Sequence, residues 1–121
     1  MPPDPNSNAD PRDESSRARA VLAQSLAMQS RSAEARAVLQ PALDYYQREE
    51  QRGAQGTSFR FGYAYALYVS SLAGGRDIAE RRAELATAAK LIDGSPPEAK
   101  SLSELRELSS QIAAERAAKR G

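Results

Sequence analysis

The sequence contains no cysteine, no histidine and no tryptophan. Disulfide and thiolate chemistry are therefore excluded, and a zinc site would have to be built from oxygen ligands alone. Large apolar residues are also scarce: Leu, Ile, Val and Phe together number 19 of 121. A deficit of that size accompanies disorder where net charge is high. Here the net charge is only +1, from 17 basic and 16 acidic residues interspersed along the chain. No run approaches the ~18 uninterrupted apolar residues of a membrane span. The N-terminal MPPDPNSNADPRDE has neither the basic nor the apolar segment of a signal peptide. The expectation is a cytoplasmic protein without a membrane partner, or an excised soluble piece of a larger one.

Alanine fills the gap, with 23 residues that favour helix and let backbones approach closely. Residues 1–13 hold four prolines and no large aliphatic side chain, which predicts a disordered leader. Residues 14–120 are expected to form one helical domain of about five helices. The first starts near Ser15 or Ser16, carries Leu22, Ala23 and Leu26, and ends around Gln29. The second is capped by Ser32, with Glu34 in its first turn, and carries Ala35, Val38, Leu39, Ala42 and Tyr46 at helical spacing. Pro41 falls inside it. The unbroken apolar spacing favours a kink over a break. A turn of a few residues forces these two helices to run antiparallel.

The segment SFRFGYAYALYVSSLAGG is ambiguous. Phe59, Phe61, Tyr63 and Tyr65 alternate as in a strand, whereas Phe61, Tyr65, Tyr68, Val69 and Leu72 recur as on a helix. A lone strand would have no partner for its backbone groups, so helix is favoured. Asp77-Ile78-Ala79-Glu80 signals the start of a fourth helix with Ile78, Leu85, Ala88, Ala89 and Ile92 inward, ending at Gly94-Ser95-Pro96-Pro97. Ser101-Leu102-Ser103-Glu104 is a capping box for a fifth, with one stripe of Leu102, Leu105, Leu108 or Ser109, and Ile112.

The first hairpin resembles a tetratricopeptide repeat. Leu22, Ala23 and Leu26 match the family's first-helix positions, Ser30-Arg31 its turn, and Ala35, Leu39 and Ala42 its second helix. A second unit over about residues 58–93 is similar, with Gly75-Arg76 at the turn and Leu85 and Ala88 on its second helix. Leu22 and Leu67 lie further apart than the standard repeat length, nearer to the longer-helix variants, and the register of Ala66 against Tyr68 stays open. The resemblance implies an all-α fold of antiparallel hairpins stacked as a short α-solenoid, closed by a C-terminal capping helix. Its style also resembles C-terminal repeat segments of bacterial signalling proteins, such as serine/threonine kinases. No kinase motif is present.

Catalytic and cofactor chemistry find no support in the residues. Gly53-x-x-Gly56 precedes no lysine of a phosphate-binding loop, and Glu80 with Glu84 reads as a solvated face beside Arg81 and Arg82. The 14 arginines do not cluster, which argues against nucleic acid. Five of the seven aromatic residues lie within Phe59–Tyr68. Phe59 and Tyr63 share one side of a helix there, and Phe61, Tyr65 and Tyr68 another. One set is expected to fill the interior and the other to face a groove, unless all five pack between hairpins. The family resemblance puts the first helix of each pair on a concave face, which makes Tyr63 a groove candidate. The expected function is a non-catalytic protein- or peptide-binding module with no cofactor, its partner residues being Arg19, Arg60, Tyr63 and Tyr68. The alternatives are a self-associating structural domain and a detached regulatory segment of a signalling protein.

Overall fold

A computed structural model describes residues 11–54, 56–73, 77–95 and 103–118. Among them lie five helices and no strand: α1 (Pro11–Met28), α2 (Ser32–Gln51), α3 (Thr57–Ala73), α4 (Ile78–Asp93) and α5 (Ser103–Ala118). The aromatic segment is therefore helical. Helix α1 begins earlier than expected, so residues 11–13 form its first turn and not part of a disordered leader. Proline suits that turn because its missing N–H would have no helical partner there. The rest of the leader, Gly75-Arg76, Pro96-Pro97 and Ser101-Leu102 lie outside the described residues.

Two turns share one hydrogen-bond pattern. After α1, the N–H groups of Ser30 and Arg31 donate to the carbonyls of Ala27 and Leu26 at 3.0 and 2.9 Å. After α2, those of Gly53 and Ala54 donate to Glu50 and Glu49 at 2.9 and 3.0 Å. Each closure needs one left-handed residue, here Ser30 at φ 63° and Gly53 at φ 87°. The first turn is so short that Arg31 both closes α1 and caps α2: its carbonyl accepts from Ala35 N–H at 2.9 Å, and its guanidinium pairs with Glu34. Ser32, expected as the cap, is already helical. Asp77 caps α4 as expected, its carboxylate accepting from Ala79 N–H at 3.2 Å.

Hydrogen bonds between helices give their directions. Arg17 reaches Ser58 and Tyr65 reaches Gln24, both pairs 41 residues apart, so α1 and α3 run parallel in one register. Arg60, early in α3, donates to the Leu91 carbonyl late in α4, while Arg81, early in α4, donates to the Ser71 carbonyl late in α3. Those two helices are antiparallel. Helix α1 packs on α2, both pack on α3, and α5 closes over α4 and α3. Helix α3 is buried on nearly every side, as its all-round apolar composition requires. No helix among the described residues is long and apolar enough to cross a membrane.

The core is thin and alanine-lined. Ala20, Ala23 and Leu26 are the buried apolar residues of α1, whereas Leu22, expected inside, is exposed. The inner face of α1 meets two helices at once and is centred on alanines, which turns Leu22 outward. Helix α2 buries Ala35, Leu39, Ala42, Leu43 and Tyr46 and runs through Pro41 without a break. Helix α4 buries Leu85, Ala88, Leu91 and Ile92, with Ile78 exposed at its start, and α5 buries Leu105, Leu108 and Ile112.

Tyr46 is the largest side chain with no exposed surface. Its ring lies where a Cβ on Gly62 would sit: such an atom would overlap the hydroxyl and come within 2.7 Å of Cζ. Gly62 is therefore the hole on α3 that receives α2.

Two stability measurements follow from this packing. Gly62→Ala gains ~1 kcal/mol of helix propensity but overpacks the core at a cost of roughly 1–3 kcal/mol. Urea denaturation should show a net loss, reduced in a Tyr46→Phe background, where the nearest colliding atom is gone; a net gain means the Tyr46 ring moves aside freely. Ser30→Gly should raise stability by roughly 0.5–1 kcal/mol by relieving the left-handed backbone. No rise would mean that Ser30 carries little strain.

Candidate functional site

Helical geometry divides the α3 aromatics into two pairs one turn apart. Phe59 and Tyr63 turn toward α2, where Tyr63 stacks on Tyr46 at 5.8 Å and 13° and Phe59 sits 6.2 Å from the same ring. Phe61 and Tyr65 turn the other way and stack on each other at 6.3 Å and 11°. The Arg17 guanidinium lies 5.4 Å from the centre of the Phe61 ring, and a second Arg17 contact, 3.0 Å to the Ser58 carbonyl, holds it there. The Tyr65 hydroxyl donates to the side-chain carbonyl of Gln24.

Between α1, α3 and α5 this second pair borders an open cavity of about 230 Å³, lined by Gln24, Phe61, Tyr65, Glu107, Leu108 and Gln111. The volume falls below the ~300–1,000 Å³ of small-molecule and cofactor sites. It has room for one or two side chains. The floor is aromatic and apolar, and the rim offers two amides and one carboxylate.

None of Arg19, Arg60, Tyr63 and Tyr68 lines this cavity. Arg19 is exposed and donates to the Val38 carbonyl at 3.5 Å, tying α1 to α2. Arg60 is half-buried and reaches across to the end of α4, donating to the Leu91 carbonyl at 3.4 Å beside Gly94. Tyr63 and Tyr68 are only 5 % and 7 % exposed. Tyr63 packs between the hairpins, so the groove faces the other aromatic set from the one expected. Gln24, Glu107 and Gln111 lay on faces with no apolar pattern to single them out. Gly62 lies on the side of α3 that receives Tyr46 of α2, and Phe59 and Tyr63 flank that side.

Burial raises the hydroxyl pKa of Tyr63, Tyr65 and Tyr68 above the ordinary 10.0, reinforced by the carboxylates of Glu50 and Glu84 at Tyr63 and of Glu115 at Tyr68. All three are neutral at physiological pH and able to donate hydrogen bonds. No protein-family model, no curated protein and no solved structure matches this chain.

Truncating the two aromatic sets should have different costs. Tyr63→Ala should lose ~3–5 kcal/mol, as core aromatics do. Tyr65→Ala, on the groove wall, should lose less, and equal losses would make both residues core. Because the folded state holds tyrosine protons that the unfolded chain releases near pH 10.0, stability is intact below that pH and falls as pH rises above it. Tyrosinate absorbance should therefore rise at higher pH in the helical protein than in the urea-unfolded chain. Coincident titration curves would show that burial does not hold these protons.

Proposed function

We propose that this chain is a non-catalytic, cytoplasmic interaction module of tetratricopeptide-like type, which binds a protein or peptide segment in the groove between α1, α3 and α5. The cavity walled by the stacked Phe61–Tyr65 pair carries the reading. Rigid aromatic side chains with a free edge contribute large contact area at low entropic cost, the usual make-up of a recognition hot spot. Further support comes from the parallel register of α1 and α3, 41 residues apart at both of their cross-links. Two hairpins repeated in that way put their first helices side by side, which is the surface a solenoid offers to an extended ligand. Gln24, Glu107 and Gln111 supply donors and acceptors for a peptide backbone. The small cavity takes a side chain and leaves the rest of the ligand along the groove.

Random linear peptides displayed on phage and panned on the immobilised protein test this directly. Enriched peptides should bind Phe61→Ala and Tyr65→Ala at least about tenfold more weakly, the ~1.4 kcal/mol of a modest hot spot. They should bind Arg19→Ala as they bind the parent. Enrichment of peptides indifferent to Phe61 and Tyr65, or none at all, would overturn the groove assignment.

A further inference from the structure

Three of the four large hydrophobic residues exposed among the described residues lie on α1: Val21 at 59 %, Leu22 at 51 % and Met28 at 77 %. They do not scatter. Exposed Glu14, Ala18, Val21, Ser25 and Met28 recur at alternating steps of four and three, the spacing by which one helix presents a seam to another. Leu22 flanks that seam, which lies opposite the face buried against α2 and α3. One acid, Glu14, stands at its N-terminal end, and no base lies on it.

The last two helices carry a matching feature. Three adjoining hollows of about 340, 160 and 390 Å³ form a continuous groove between α4 and α5. One wall presents Arg82, Ala86, Ala89 and Asp93, again at steps of four and three. The facing wall presents Arg106, Ser109, Ala113 and Arg116 at three, four and three. Ile92 and Ile112 line the floor. The rim is basic where Arg82 and Arg116 meet at one end. From Arg82 to Asp93 the wall rises ~16 Å; the seam rises ~21 Å from Glu14 to Met28, so its last ~15 Å, Ala18 to Met28, match the wall and Glu14 extends just past the Arg82 end.

We propose that the α4–α5 groove receives the α1 seam of a second copy of this chain, in a head-to-tail contact. The incoming α1 runs parallel to α4. Glu14 then lies at the Arg82–Arg116 end, Val21 and Leu22 enter between Ala86 and Ala113, and Met28 reaches Ile92. Charge and size both select this orientation: the single acid meets the basic end, and the large side chains meet the small ones. The two surfaces differ and occupy the first and last helices of the stack, so the contact is heterologous and each bound copy offers a fresh groove. This surface is separate from the peptide groove and does not rest on that reading.

Light scattering after size exclusion tests the contact with two variants at exposed positions, Leu22→Glu on the seam and Ala113→Glu on the groove, each first confirmed as folded by its helical circular dichroism. The parent chain should show a mass that rises past the dimer with concentration. Each variant alone should stay a monomer, because every copy carries the same broken surface. An equimolar mixture should give a complex of twice the monomer mass and nothing larger, because Leu22→Glu keeps an intact groove and Ala113→Glu an intact seam. A parent that remains monomeric at millimolar concentration overturns the proposal. So does a mixture that associates no better than its components, since a symmetric contact would be broken in both partners.

Discussion

The contact between the Tyr46 ring and the bare backbone of Gly62 holds the two hairpins at their working distance. A helix surface normally keeps its neighbour 8–10 Å away by the thickness of its side chains. At Gly62 that thickness is missing, and the ring of Tyr46 occupies the space with no exposed surface left. Three further aromatic rings, Tyr45, Phe59 and Tyr63, gather around it at 5.2 to 6.2 Å. In a chain with so few large aliphatic residues, this cluster supplies apolar area that leucines provide elsewhere. Alanines do the rest by letting α1, α2 and α3 approach closely.

The same contact decides which aromatic residues line the cavity between α1, α3 and α5. Once α2 claims the side of α3 that carries Gly62, Phe59 and Tyr63 are committed to the core. Phe61 and Tyr65 point toward α1 and α5 instead. There they are only partly covered, and Arg17 and Gln24 fix their orientation through the guanidinium–ring contact and the hydrogen bond to the Tyr65 hydroxyl. Under the proposed peptide-binding function, that fixed orientation limits the ordering cost of binding.

Four arginines act as ties between helices. Arg17 joins α1 to α3, Arg19 joins α1 to α2, and Arg60 and Arg81 join opposite ends of α3 and α4. Each donates to a backbone carbonyl of another helix. A planar group with five donors on a long stem bridges the gap left by a thin core and still keeps contact with water.

The five helices among the described residues, the helical state of the aromatic segment, the Asp77 start and the inward stripes of α2 and α5 were legible in the sequence, because each depends on spacing within a few turns. Passage through Pro41 was legible for the same reason: the apolar period runs on across it. The left-handed Ser30 and the double role of Arg31 were not, since a three-residue turn is shaped by both helices that it joins. Nor was the outward turn of Leu22, which fits a helical stripe as well as Ala20 does. By itself the sequence determined that two sets of aromatics face different ways, a consequence of 100° per residue. Which set lies inside was decided only when α2 docked, because the choice rests on where Tyr46 finds room, and that room is one absent side chain on a helix distant from it in the chain.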